Sequence, residues 1–175
     1  MKAPISWLKE WVDLPQELTI DQLSNDLIEH CFEIESIHNP SKDITNVIVG
    51  KILKIDQHPD ADKLVVCQIT TNERSTATLQ IVTGADNVRV GHVVPVALNG
   101  ASLPNGLKIK TSPLRGVDSQ GMLCSKRELG LADDAQGIMI LPNDTPIGIP
   151  IVDALKLNDP IIDLAVLPNR GDLQS

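Results

Sequence analysis

Tyrosine is absent from the 175 residues, and the other aromatic side chains amount to Trp7, Trp11 and Phe32. Nothing aromatic follows residue 32, so whatever core forms beyond it is aliphatic. Long apolar runs are missing too. VVPVAL at 93–98 falls far short of the ~20 residues a membrane helix needs, and Lys9 and Glu10 interrupt the N-terminus before a signal-peptide core can form. These shortages predict a soluble, cytoplasmic chain with no membrane partner. Cysteine is scarce and odd in number. Cys31, Cys67 and Cys124 are spaced for neither a CxxC metal site nor a disulfide framework, and they read as reduced, buried thiols.

Positive charge is also in deficit, with a formal net charge of −8. Taken alone that argues against a nucleic-acid partner, because phosphate contacts need lysine and arginine. The distribution qualifies the total. Residues 1–40 hold two Lys/Arg and eight Asp/Glu, residues 41–150 hold eleven of each, and residues 151–175 hold two and four. The acidity lies in the two ends, and the middle is neutral.

Periodicity separates the same three segments. After Ser6, an expected N-cap, Trp7, Leu8, Trp11 and Val12 share one helical face, and Pro15 stops the run. Thr19 and Gln22 match a capping box, followed by Ile20, Leu23, Leu27, Ile28 and Cys31 at helical spacing. Glu33 to His38 alternates as a strand does. From about 45 to 141 the period becomes two: VIVGKILKI, KLVVCQITT, ATLQIVTG, VVPVAL and GIMIL are short runs parted by turns such as HPDAD, TNERS, GADN and LPNG. Five such runs predict one small barrel or sandwich, and the count suits an OB fold best.

The last segment, from Pro150, adds a helical stretch around Val152 to Leu157 and a strand-like IIDLAVL before PNRGD. Neither end can make its own core, but together they approach a minimal domain. The expected fold class is therefore α+β: a five-stranded OB-type barrel at 41–150 inserted into a discontinuous α/β unit of 1–40 and 151–175. Since no structural stop is evident at Ser175, the chain reads as the start of something longer.

Three stretches invite a catalytic or metal reading and lack the spacing for it. HPDADK at 58–63 offers an imidazole and two carboxylates, but it is not a calcium-loop pattern and has no second histidine four residues on, so a turn with Lys63 exposed is expected. Ser119 in GVDSQG misses the G-x-S-x-G elbow because position 117 is Val. GASLPNGLK at 100–108 has its glycines six apart and Leu107 before its lysine, so it reads as a β-turn and not a phosphate loop. No catalytic and no metal-binding residue is expected here.

What remains is LRGVDSQGMLCSKRELG at 114–130. Ser125 and Glu128 have capping-box spacing and Gly130 can end the turn, so SKREL reads as one turn of helix. Lys126 and Arg127 then sit at its positive end, where cations are mildly unfavourable unless an anion joins them. With Lys108, Lys110 and Arg115 they place five cations against one acid, Asp118, in residues 108–127. Ser119 and Ser125 supply hydroxyls. These seven residues are the candidate phosphate site. With no aromatic in 41–150, an RNA contact would run through phosphates and folded shape and not through stacked bases.

HPDADKLVVC, IVTGADNVRVG and LRGVDSQGMLCSKRELG together resemble the tRNA-binding OB domain of several synthetases and free-standing tRNA-binding proteins. The flanks PISWLKEWV and DLAVLPNRGDLQS resemble the N-terminal region of bacterial phenylalanyl-tRNA synthetase beta subunits, with Leu173 and Gln174 where that family more usually has Cys and Leu. The resemblance implies a barrel inserted in a discontinuous domain, and a heterotetramer of two alpha and two beta subunits. It also implies ATP-dependent joining of phenylalanine to its tRNA with magnesium. In that family the active-site motifs lie on the alpha subunit, so no cofactor is expected in this chain. The competing reading is a structural or protein-interaction barrel without RNA contact, or a different tRNA-binding OB protein.

Overall fold

The computed structural model of the chain describes residues 1–30, 32–72, 74–133 and 136–165. In chain order its first elements are β1 (Lys2–Pro4), α1 (Ile5–Trp11), α2 (Ile20–Glu29), β2 (Glu33–His38), β3 (Thr45–Gln57), β4 (Val65–Thr70) and β5 (Leu79–Thr83). There follow β6 (Val93–Ser102), β7 (Ser112–Leu114), β8 (Val117–Ser119), β9 (Gly121–Leu123), α3 (Ile151–Ala154) and β10 (Ile161–Ala165). Cys31 and the PNRGD motif lie outside the described residues. Two compact units result: residues 1–41 with the segment from Leu157, and Lys42–Lys156.

In the first unit β10 lies between β1 and β2 and runs antiparallel to both. Ile162 and Leu164 of β10 are buried, and Ala3 pairs with Ile162 across the β1 ladder. The capping box at Thr19 forms as the sequence predicts: Thr19 Oγ1 accepts from the Gln22 N–H at 3.2 Å, and Gln22 Oε1 accepts from the Thr19 N–H at 3.0 Å. Ser6 does not cap α1. The helix begins at Ile5, and the Ser6 N–H and hydroxyl both donate to Asp159, at 2.9 and 2.6 Å. A carboxylate 153 residues away does the capping, which no local pattern can reveal.

The apolar face read from Trp7, Leu8, Trp11 and Val12 does not enter a core. Trp7 and Trp11 are 64% and 85% exposed, and α1 buries no residue. In α2, Ile20, Leu23 and Leu27 are half-buried and Ile28 is exposed. A unit this small encloses little volume, and the β10 side chains take most of it.

The second unit is a barrel of five antiparallel strands in the order β5-β4-β3-β6-β9. It closes where β9 returns to β5: the Gln120 N–H donates to the Gln80 carbonyl at 2.8 Å, and the Gln80 N–H donates to Gln120 Oε1 at 2.8 Å. Order and closure are those of an OB-type barrel, and with the helices the chain is α+β. The core is aliphatic, as the missing aromatics require: Ile52, Ile69, Ile81, Val94 and Val96 are fully buried, with Leu123 and Ile138 beside them. β3 serves both halves because it bends: its pairing with β4 skips Leu53, the unpaired residue of a bulge. Gly50 sits at a tight approach, where a Cβ would come within 2.7 Å of Val96 Cγ2.

The fifth strand is not GIMIL. It is β9, drawn from the polar stretch 114–130, whose three-residue strands are too short for alternation to show. GIMIL makes a single bridge, Leu141 to Val93, and is also held by the Met139 N–H, which donates to the Cys124 carbonyl at 2.9 Å, and by Asn87. That side chain behaves like a strand's peptide group: Nδ2 donates to the Ile138 carbonyl at 2.8 Å and Oδ1 accepts from the Ile138 N–H at 3.0 Å. The helix expected near 152–157 is α3, and it goes with the barrel. Ile151 is fully buried, and just before it the Val49 N–H donates to the Ile149 carbonyl at 2.9 Å. No helix among the described residues is long and apolar enough to cross a membrane.

Candidate nucleic-acid interface

Between β6 and β9 the chain leaves the barrel and folds into the β7–β8 hairpin. Leu114 pairs with Val117, so Arg115 and Gly116 form a two-residue loop, and both have positive φ (46° and 87°). That is the type I′ geometry whose twist matches the flanking strands. Glycine adopts it freely, but at Arg115 the left-handed conformation costs about 1 kcal/mol or more. The base of the hairpin is sewn to β5. Ser119 Oγ accepts from the Val82 N–H at 3.1 Å and donates to the Gly121 carbonyl at 2.9 Å, and Gln80 Nε2 donates to the Asp118 carbonyl at 2.9 Å.

The five predicted cations, Lys108, Lys110, Arg115, Lys126 and Arg127, are all exposed, and none is ion-paired among the described residues. They do not share one groove. Lys108 and Lys110 flank the buried Ile109 and line a groove of about 480 Å³ with Thr83, Ser112 and Glu128. Arg115 borders a second, of about 470 Å³, facing Pro59 to Leu64, and Lys126 borders a third of about 240 Å³ with Gln136 to Ile140. One stretch of sequence is thus spread over three surfaces.

The two predicted serines are placed differently from the cations. Ser119 and Ser125 are only 3% and 7% exposed. Ser119 is spent on the β5 and β9 backbones as above. Ser125 Oγ accepts from the Glu128 N–H at 3.3 Å while Glu128 Oε2 accepts from the Ser125 N–H, so the predicted capping box is present. Both hydroxyls are hydrogen-bonded to the chain's own backbone, and Ser119 also lies on the wall of the Lys108 groove. SKREL forms one hydrogen-bonded turn and no longer helix, closed by Leu131 N–H to Lys126 O at 2.9 Å and Gly130 N–H to Arg127 O at 3.0 Å, with Gly130 at φ 68°. That is a Schellman ending. A single turn sums few peptide dipoles, so the phosphate argument rests mainly on the exposed cations.

Burial raises both described thiols: Cys67 is pushed up to about 11, and Cys124, buried beside the Glu128 carboxylate, to about 12. Thiolate chemistry at neutral pH is accordingly suppressed. Both thiols are expected to resist iodoacetamide in the folded chain at pH 8, as mapped by peptide mass spectrometry; rapid labelling of Cys124 would contradict its burial. The sign with pH follows from the raised values. Folding keeps the proton on, so the stability these groups contribute is whole below about 9 and is lost as pH climbs toward 11 and 12. The urea midpoint should fall over that window.

The remaining motifs resolve as backbone structure. GASLPNGLK turns tightly, with the Gly106 N–H donating to the Leu103 carbonyl at 2.8 Å and Asn105 Oδ1 accepting from the Leu107 N–H at 3.0 Å. In HPDADK, Lys63 is exposed as predicted, but His58 is only 3% exposed and both ring nitrogens are engaged. Nδ1 accepts from the Asp60 N–H at 3.1 Å, which puts the proton on Nε2, and Nε2–H donates to the Leu114 carbonyl at 3.0 Å. Its partner lies 56 residues away, so sequence reading had no signal for the contact.

A family model described as "Putative tRNA binding domain" matches residues 47–150, which takes in the barrel apart from the first two residues of β3, the hairpin and all five cations. The chain belongs to that tRNA-binding domain family. Both flanks of the barrel are covered by a closer likeness. The chain is 46% identical over 177 residues to the phenylalanine–tRNA ligase beta subunit of Clostridium acetobutylicum, and 48% identical over 181 residues to that of Burkholderia pseudomallei. Each alignment takes in 100% of this chain and 22% of the relative, so the chain spans about a fifth of the length of these relatives. A solved structure, of a MetRS-related protein from Pyrococcus horikoshii, aligns at 23% identity and a TM-score of 0.42 over 58% of this chain and 84% of its own.

Proposed function

We propose that the chain is the N-terminal, tRNA-binding part of a phenylalanine–tRNA ligase beta subunit, working in the cytoplasm beside an alpha subunit in a heterotetramer of two of each. The observation that carries the binding role is the set of five exposed, unpaired cations on and beside the excursion between β6 and β9, in a chain of the tRNA-binding domain family. Cations without carboxylate partners are free to replace counterions along a phosphate backbone. The barrel offers no aromatic side chain, so it supplies no platform for splayed bases. Recognition then rests on the spacing of phosphates in a folded RNA.

The parent reaction uses ATP and magnesium. We assign neither group to a residue of this chain. Among the described residues no three His, Cys, Asp or Glu gather to hold a metal, and both His58 nitrogens are taken by backbone. The chain's part in aminoacylation is to hold tRNA.

The test is a fluorescence-anisotropy titration of a folded tRNA transcript and of an unstructured oligonucleotide of equal length, at several salt concentrations. Folded tRNA should bind more tightly, with a log–log salt slope between about −1, if a groove with a single cation is engaged, and about −4, if all five cations are. Equal affinity for the two RNAs, or no dependence on salt, would favour the protein-interaction barrel instead.

A further inference from the structure

Arg115 is held in an unusual way. It sits at the first loop position of a type I′ turn, with φ 46° where glycine or asparagine is preferred, and it borders the same groove as Asp60 and Asp62 without an ion pair to either. A guanidinium kept in a costly backbone conformation and left unpaired beside two carboxylates is supported by something other than its own contacts. The support for the residue before it is the His58 ring.

We infer that His58 is a positioning residue for Arg115 and that it joins the 58–64 turn to the hairpin tip so that the two move as one body. The turn is itself rigid. The His58 N–H donates to the Leu64 carbonyl at 3.2 Å, the Leu64 N–H donates to the Ala61 carbonyl at 3.1 Å, and Gln57 Nε2 donates to the Asp62 carbonyl at 3.0 Å. From that frame the buried imidazole reaches out through Nε2–H to Leu114 O, the carbonyl that leads into Arg115. Gln80 and Ser119 fix the base of the hairpin, and His58 fixes its tip. Without it the loop can rotate about that base, and Arg115 loses its fixed distance from the turn.

The role rests on the tRNA reading above, and the experiment separates the two. In the full chain, His58→Asn keeps an acceptor for the Asp60 N–H but is too short to reach Leu114, whereas His58→Gln carries an amide donor to about the position of Nε2. Arg115→Gln removes the charge alone. His58→Asn should weaken binding of folded tRNA about threefold, as the loss of one phosphate contact does. It should add no further loss in the Arg115→Gln background, and His58→Gln should restore most of the affinity. Amide exchange at Gly116 and Val117 should quicken in His58→Asn and return toward normal in His58→Gln, while β3 stays protected.

Losses from His58→Asn and Arg115→Gln that simply multiply would show that His58 acts by another route and overturn the inference while leaving tRNA binding intact. Unchanged exchange at the hairpin tip would overturn it whatever the RNA does. If neither Arg115→Gln nor charge reversal at Lys126 and Arg127 alters affinity, the tRNA reading fails first and the positioning role goes with it.

Discussion

A chain ending at Lys156 is expected to lose amide protection throughout Glu33–His38 and in α2, while the barrel exchanges as before. The reason is topological. β10 is the central strand of its sheet, and neither β1 nor β2 has another described strand as a partner. Removing it takes away both ladders, the Ile162 and Leu164 side chains, and Asp159, which caps α1 through Ser6. Burying an isoleucine and a leucine contributes about 1.5–3 kcal/mol each, a large share for a unit with so few buried side chains. What is left, two lone strands and two helices of seven and ten residues, is below what holds together in water. Hydrogen exchange read by mass spectrometry should therefore show protection in α2 and β2 falling by orders of magnitude, to that of an unfolded chain. Native protection of Glu33–His38 in the shortened chain would show that the first forty residues fold without β10 and would end the discontinuous-unit reading.

The second large effect is electrostatic. Replacing Lys126 and Arg127 by Glu together should weaken tRNA binding by about tenfold or more at 50 mM salt and flatten the salt slope by about 2. Both side chains are exposed, outside the capping-box and Schellman hydrogen bonds that hold their turn, which involve Ser125, Glu128 and main-chain atoms. Stability should therefore change by no more than about 0.5 kcal/mol, and an unchanged urea midpoint is part of the prediction. A slope that stays the same after reversal would mean that this turn is a solvated face. Because the cations border three grooves, comparison with reversal at Lys108 and Lys110 should show how much of the RNA backbone each surface meets.

Most of the barrel could be read along the chain, because apolar, β-branched runs of five or more residues parted by turn residues mark strands. β3, β4, β5 and β6 announce themselves in this way. β7, β8 and β9 do not. Each is three residues long, and their pairing comes from Gln80, Ser119 and Gln120, whose polar side chains look like loop composition until β5 is placed beside them. The same limit explains α1. Its helical spacing was legible, but the spacing says only that Trp7 and Trp11 share a face and not that anything covers it.

For the candidate site the division is between charge and position. Composition alone determined that the barrel is aliphatic, that its thiols have no disulfide or CxxC spacing, and that its densest run of cations lies in residues 108–127. Local chemistry likewise determined both capping boxes, since a cap involves residues three apart. Only the tertiary structure decided that the Ser119 and Ser125 hydroxyls bond to backbone, that four of the five cations separate onto three grooves, and that the His58 ring bridges the 58–64 turn to Leu114. The physical reason is range. Propensity, capping and periodicity act between near neighbours, whereas the fate of a hydroxyl, an imidazole or a carboxylate depends on whatever a closed barrel brings against it from far along the chain.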